Sequence, residues 1–332
     1  MRTLVVGAGA LGGLITARLL GAGIPVCLAT RSAQAAEALR ASGLRVSGVG
    51  GDLQVPAPQV APLEAWSGFD LVVLATKARD AMDLAPELPG LLGPGGILLP
   101  IQNGSVALAL AERLGTERVL GGLSNLGAAR LAPGVVVQGN AGHLLVGEVD
   151  GGAGGRAQRV RDWLGQGVAV RVTSNFQGAV WSKLLVNCAG TTVGAVAGRT
   201  LRELMAVPRG REVFQAAYDE ALAVGLASGA KPERMLVEPV PPGWNGRSVP
   251  GPAHDAWLAT ILQGYGDSRP SMLQDLERGR ATEIDFINGY VVALGRRLSV
   301  ATPVNEALVN AVRAVTCGQA APGLALLETL RS

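Results

Sequence analysis

Residues 1–12 read Met-Arg-Thr-Leu-Val-Val-Gly-Ala-Gly-Ala-Leu-Gly, a short apolar run that feeds straight into G-x-G-x-x-G. An apolar, Ala-rich stretch follows from Leu14 to Leu20. Strand, tight turn and helix in that order are the setting in which three spaced glycines bind a dinucleotide. Gly7 permits the turn, Gly9 lets the backbone approach a pyrophosphate with no Cβ in the way, and Gly12 lets the helix pack closely on the strand. The helix N-terminus then offers free N–H groups and a positive dipole end to the phosphates. Ala8, Ala10 and Leu11 lie in the same turn and share the cofactor-binding assignment. A chain with 47 glycines also makes such spacings without function. The flanking strand and helix favour the dinucleotide.

The end of the next strand, read at Pro25–Ala29, bears on which dinucleotide. The residue that reaches the adenosine ribose lies about 20 positions after the glycines and is an acid in NAD-preferring sites. Here the segment is Thr30-Arg31-Ser32, with no acid before Glu37. Arg31 offers a planar fork of donors suited to a 2′-phosphate, and the hydroxyls of Thr30 and Ser32 can add hydrogen bonds. NADP(H) is therefore expected over NAD(H). The alternative is that Arg31 is a solvated loop charge.

Composition narrows the class. A chain of 332 residues, 48% apolar and 17% charged, is globular and long enough for two domains. A net charge of +3 with no Lys/Arg cluster leaves no footprint for nucleic acid. No apolar run approaches the roughly 18 residues of a membrane span. Residues 1–20 belong to the nucleotide unit, so no secretory leader is expected. Cys27, Cys188 and Cys317 are scattered and odd in number, and read as reduced, buried thiols in a cytoplasm. His143 and His254 lie apart from any ligand-spaced cluster, so no metal is expected.

Along the chain, Phe69–Thr76 is a continuous apolar run, as a central parallel strand needs. Ile97–Pro100 is another strand and Ala107–Leu114 a helix. Val119–Leu123, Val135–Gln138 and His143–Val149 suggest antiparallel strands added at one edge. Gly151–Gly155 reads as a loop, Gln158–Leu164 as a helix and Val168–Val172 as a last strand. After Asn175 helical periodicity dominates, broken only by Pro239–Pro252, whose Pro/Gly density predicts an exposed, mobile loop. The expected fold class is α/β: a Rossmann-type dinucleotide-binding domain over residues 1–174, then an all-helical substrate and catalytic domain over 175–332, with the active site in the cleft between them.

Several residues outside the glycine turn could carry chemistry. Lys183 and Asn187 share a helix face within a very apolar segment, where unpartnered polar groups are costly. Lys183 could protonate a carbonyl oxygen as hydride arrives at its carbon, or it could snorkel to solvent. Asn103-Gly104 and Lys77 follow strands whose carboxyl ends would face the cofactor, although Asn-Gly is also a common turn. Ser271-Met-Leu-Gln274 fits a capping box, in which Ser271 caps a helix. Thr282-Glu283-Ile-Asp285 looks like a further helix start. Glu283 would be capped there, paired with an Arg such as Arg280, or turned toward a cleft.

Taken together, the series G-A-G-A-L-G at 7–12, Arg31, Lys77, Asn103-Gly104, W-S-K-L-L-V-N at 181–187, S-M-L-Q-D at 271–275 and T-E-I-D-F-I-N-G at 282–289 resembles the ketopantoate reductase (2-dehydropantoate 2-reductase) family over nearly the whole chain. The resemblance implies NADPH-dependent reduction of ketopantoate to pantoate, on the route to pantothenate and coenzyme A. It implies Lys183 as general acid, with Glu283 holding the substrate hydroxyl and positioning Lys183. Asn103 would sit beside nicotinamide and substrate, Ser271 at the substrate carboxylate, and Asn187 as a further substrate contact. Arg31 and Lys77 would hold the adenosine end of NADP. Thr191 and Ser268, counted among the substrate contacts, stand where members often carry Asn, so the substrate half departs from the pattern. A reductase of another 2-keto acid is the alternative. A non-catalytic NADP(H) sensor is a weaker one, because a sensor needs neither Lys183 nor Glu283. A β-hydroxyacid dehydrogenase does not explain the 271–275 and 282–289 motifs. The expected partner is a small 2-keto acid, and the sequence leaves monomer and homodimer open.

Overall fold

The computed structural model describes residues 1–330 apart from Ala153 and Leu236. The chain forms two compact units, Met1–Phe176 and Gln177–Ser332.

The first unit is built on a five-stranded parallel sheet. Its spatial order is Gln59–Pro62, Cys27–Thr30, Thr3–Val6, Phe69–Leu74, Leu92–Pro100. That is the 3-2-1-4-5 order of a dinucleotide-binding sheet. Leu4 and Val5 are fully buried, as are Leu71 to Leu74, because helices or a second layer cover both faces. A parallel bridge from Leu98 to Val119 joins the last strand to Leu120–Ser124. Leu120–Ser124 pairs antiparallel with Leu144–Glu148, which pairs parallel with Val170–Val172.

The expectation of antiparallel strands at one edge holds for Leu120–Ser124 and Leu144–Glu148 and needs correction for the third strand. Val135–Gln138 belongs to a separate four-stranded sheet, where it runs parallel to Leu44–Gly48 and antiparallel to Ala128–Ala132, with Leu53–Val55 beyond. This sheet packs against the helix Ala10–Gly21, which also contacts the strand Thr3–Val6. Leu14, Ile15, Ala17 and Leu19 are all buried as a result. A helix covered on both sides is apolar all round, which is why Leu14–Leu20 shows no polar stripe.

Among the described residues the second unit has no strand. The helix Pro208–Ala227 starts with proline at its first turn and packs against Asn288–Leu298 and Pro303–Thr316. Phe214, Tyr218 and Trp181 anchor its core. Tyr218 stacks on Phe214 and meets the edge of Trp257.

The Pro239–Pro252 segment is irregular, as expected, but it is not simply exposed. Pro239, Pro241 and Ser248 are buried. Asp219 accepts from Ser248 N (2.7 Å), Ser248 Oγ (2.6 Å) and Trp244 Nε1 (3.1 Å). Tyr218 Oη donates to the Pro239 carbonyl (2.8 Å). A segment with no ladder of its own has its backbone and side-chain polar groups met by the neighbouring helix.

The cysteines also differ from expectation. Only Cys188 is buried; Cys27 is half-buried, and Cys317, just past the end of Pro303–Thr316, is exposed. No group of three His, Cys, Asp or Glu among the described residues could hold a metal ion. None of the described helices is long and apolar enough to cross a membrane.

Candidate active site

In the first unit the strand Thr3–Val6 lies between Cys27–Thr30 and Phe69–Leu74. Strand order reverses there, and in such sheets ligands bind beyond the carboxyl ends of the strands at the reversal. Gly7 N donates to the Ala29 carbonyl (3.0 Å) and Ala75 N to the Val6 carbonyl (2.9 Å), so pairing holds the three strand ends together up to the turn. Gly7 has φ +106°, which a side chain rarely tolerates. A Cβ on Gly12 would lie 1.8 Å from the Gly7 carbonyl oxygen, whereas a Cβ on Gly9 would meet nothing within 4 Å. The turn is therefore closed on its inner side and open at Gly9. The helix Ala10–Gly21 has no side-chain N-cap bond and no acid in its first turn. Its first N–H groups are left for an anion. These residues fit a dinucleotide.

The other cofactor candidates occupy loops at the same sheet edge. Arg31 directly follows Cys27–Thr30, and exposed Lys77 precedes the helix Ala78–Asp83. Asn103 follows Leu92–Pro100. Gln102 Nε2 donates to the carbonyls of Leu74 (2.9 Å) and Thr76 (3.0 Å), bracing the Asn103 loop on the Lys77 loop. Thr30 is not available as expected: it is buried, and its hydroxyl donates to the Ser32 carbonyl (2.9 Å). Ser32 Oγ accepts from Ala35 N as the N-cap of Ala33–Ser42.

In the second unit Lys183 lies near the end of the helix Phe176–Val186. It is half-buried, and burial lowers its pKa to about 8. The Glu283 carboxylate acts against that, favouring the ammonium. Lys183 is therefore coupled electrostatically to Glu283, a residue distant in sequence. Glu283 is not the start of a regular α-helix. It precedes a 3-10 turn, Ile284–Phe286, and the α-helix begins at Asn288. Asp285 pairs with Arg313 (2.6 Å).

Beyond Lys183 the helix widens into a π-turn over Asn187–Thr191. Such turns recur at functional sites. Thr191 Oγ1 donates to Asn187 Oδ1 (3.3 Å), so the two predicted substrate contacts form one pair. The helix Ser271–Glu277 packs on this turn. Ser271 is exposed and is not an N-cap: the cap position is Pro270, with no side-chain cap bond. Gln274 Nε2 donates to the Arg269 carbonyl (3.2 Å) and so closes no capping box. The proline fixes the entry to the helix and shifts Ser271 to its first turn. Ser268 is exposed in the connection just before.

The model of "Ketopantoate reductase PanE/ApbA" matches residues 3–151, and that of "Ketopantoate reductase PanE/ApbA C terminal" matches residues 175–316. The chain belongs to the ketopantoate reductase family. It is an oxidoreductase of the CH–OH class. It is 31% identical to 2-dehydropantoate 2-reductase of Archaeoglobus fulgidus, over 96% of this chain and 98% of that protein. It is 32% identical to the Halobacterium salinarum 2-dehydropantoate 2-reductase, over 94% and 98%. Its fold matches the crystal structure of a PanE/ApbA family ketopantoate reductase from Ralstonia eutropha JMP134 with TM-score 0.81 and 27% identity, covering 96% of this chain and 99% of that one.

Two features of this ketopantoate reductase family member escaped the sequence reading. Asn288, fully buried, donates through Nδ2 to the Cys188 carbonyl (3.1 Å) and to Asn305 Oδ1 (2.9 Å), and its Oδ1 accepts from Thr192 (2.7 Å). The π-turn beside Lys183 is thus tied to the segment that follows Glu283. An amide between Ile287 and Val291, on an apolar stripe, was the available signal. The second is Ser182, next to Lys183. Its hydroxyl accepts from Glu233 N (2.8 Å) and contacts the Glu233 carbonyl (2.6 Å), strapping the segment after Pro208–Ala227 onto the Lys183 helix.

Proposed function

We propose that the chain reduces 2-dehydropantoate (ketopantoate) to pantoate with NADPH, the step that leads toward pantothenate and coenzyme A. The observation that carries this reading is the Lys183–Glu283 coupling, in a family member whose other unit has an open glycine turn for a dinucleotide. Bound NADPH supplies a hydride to C2 of the ketone. Lys183 donates a proton from Nζ to the ketone oxygen, so the product leaves as an alcohol and not an alkoxide. Before transfer the ammonium stabilises the charge growing on that oxygen. Glu283 keeps Lys183 protonated and accepts from the substrate hydroxyl. Asn187, Thr191, Ser268 and Ser271 contact the substrate, and Asn103 contacts substrate and nicotinamide. Gly7 to Gly12 hold the pyrophosphate, while Arg31 and Lys77 hold the adenosine end, Arg31 at the 2′-phosphate. A different 2-keto acid is the second reading, supported by Thr191, whose hydroxyl is already engaged with Asn187.

The pH profile tests the mechanism. Reduction needs the ammonium, so its kcat should fall as pH rises through about 8, the pKa of Lys183. Oxidation of the 2-hydroxy acid needs the neutral amine and should rise through the same point. Glu283 favours the charged form, so Glu283→Gln should move both midpoints below about 8. A reduction rate that is flat between about pH 6 and about pH 10 would exclude a titrating lysine as the acid.

Arg31→Ala should weaken NADPH by about 1–2 kcal/mol and leave NADH nearly unchanged, an effect at the low end for charge-assisted contacts because the guanidinium is exposed. Equal weakening of both cofactors, read by titration, counts against the 2′-phosphate assignment.

A further inference from the structure

We propose that Asp80 sets how strongly the chain discriminates NADPH from NADH, by competing with the 2′-phosphate for Arg31. The inference rests on the reading that Arg31 meets that phosphate. Arg31 Nη2 donates to Asp80 Oδ2 (2.9 Å). Arg31 follows the strand Cys27–Thr30, and Asp80 lies in the first turn of the helix that follows Phe69–Leu74. These two strands flank Thr3–Val6, which leads into the glycine turn. The ion pair therefore spans the loops on either side of the strand whose end holds the pyrophosphate.

The chemistry at that place is two-sided. A 2′-phosphate arriving at Arg31 must take the guanidinium from a carboxylate already bonded to it, or share it at the cost of repulsion between like charges. A ribose 2′-hydroxyl has no such conflict and can donate to the same carboxylate. An NAD-preferring site keeps its acid at the end of the second strand. Here that place holds Arg31, and the acid comes from a different loop. The chain thus carries a guanidinium for the phosphate and a carboxylate for the hydroxyl at one point. Asp80 narrows the preference for NADPH that Arg31 creates. The pair does little for the fold: the two side chains are 83% and 41% exposed, and exposed pairs contribute little stability. Substitutions at Asp80 therefore leave a folded protein on which binding can be measured.

The test is a titration of the cofactor-free protein with NADPH and with NADH, followed by the fluorescence of the bound nicotinamide, with no turnover involved. Asp80→Asn and Asp80→Ala should each tighten NADPH roughly three- to fivefold at low salt and leave NADH unchanged or weaker. The gain should shrink as salt screens the exposed charges. An NADPH/NADH ratio that stays within about twofold of wild type in both variants at low salt overturns the role of Asp80. Arg31→Ala separates the two claims. If it weakens NADPH selectively while the Asp80 variants keep the wild-type ratio, only the role of Asp80 is lost. If it weakens both cofactors alike, the 2′-phosphate reading of Arg31 is lost, and this inference with it.

Discussion

Lys183→Ala should lower kcat for keto-acid reduction by about 10²–10⁴-fold, the usual worth of a positioned acid. NADPH affinity should stay within about twofold, because the contacts assigned to the cofactor's phosphates come from residues 7–12 and Arg31. In the proposed mechanism the same ammonium serves twice, as proton donor and as a fixed charge beside the developing oxyanion, so both contributions should disappear together. Burial already draws its pKa to about 8, close to where an acid both holds its proton at neutral pH and releases it readily. Lys183→Arg keeps the charge but not a proton that leaves in this range, and should stay near the alanine variant. Single-turnover kinetics read the loss directly. A near-normal rate in Lys183→Ala would remove the mechanism and leave the dinucleotide-binding assignment standing.

Gly12→Ala should have the second-largest effect. The added Cβ would fall 1.8 Å from the Gly7 carbonyl oxygen, which is backbone and cannot swing aside. Either the turn or the helix Ala10–Gly21 must move. A shift of the turn would withdraw the N–H groups that the proposed reading assigns to the pyrophosphate. Both nicotinamide cofactors should bind at least about tenfold more weakly, and thermal unfolding should report a loss of about 1–3 kcal/mol, typical of overpacking. Gly9→Ala meets no protein atom within 4 Å and should fold normally, yet it too should weaken both cofactors. A Gly9→Ala protein that binds them like wild type would show that the open side of the turn does not face the pyrophosphate.

The contrast between these glycines explains what was legible in the sequence. The strand–turn–helix from Thr3 to Gly21 is local, and each glycine's role follows from its spacing, so it could be read from residues alone. The buried strand Phe69–Leu74 was equally plain, because a strand covered on both faces is apolar throughout. The strands Leu44–Gly48, Leu53–Val55, Gln59–Pro62 and Ala128–Ala132 were not read. They are three to five residues long, too short for the alternation in Leu44–Gly48 and Leu53–Val55 to stand out, and in Ala128–Ala132 no residue is buried. In the second unit, Lys183 and Asn187 could be picked out as polar residues in an apolar helix. The electrostatic coupling of Lys183 to Glu283 arises from tertiary packing, and only the family resemblance pointed to it. The capping-box reading of Ser271 failed because Pro270 occupies the cap position, which moves the serine inside the helix. The π-turn at Asn187–Thr191 and the amide network of Asn288 and Asn305 depend on packing between helices far apart in the chain. Asp80 shows its relevance only once the sheet brings its loop beside Arg31.

The proposed activity is reduction of a 2-keto acid by NADPH with ketopantoate as substrate. It is tested most directly by assaying ketopantoate against a panel of other 2-keto acids, following the loss of reduced-nicotinamide absorbance. The expected result is oxidation of NADPH with the highest kcat/KM on ketopantoate. No consumption of NADPH with any keto acid of the panel, by a protein that binds the cofactor, would contradict it.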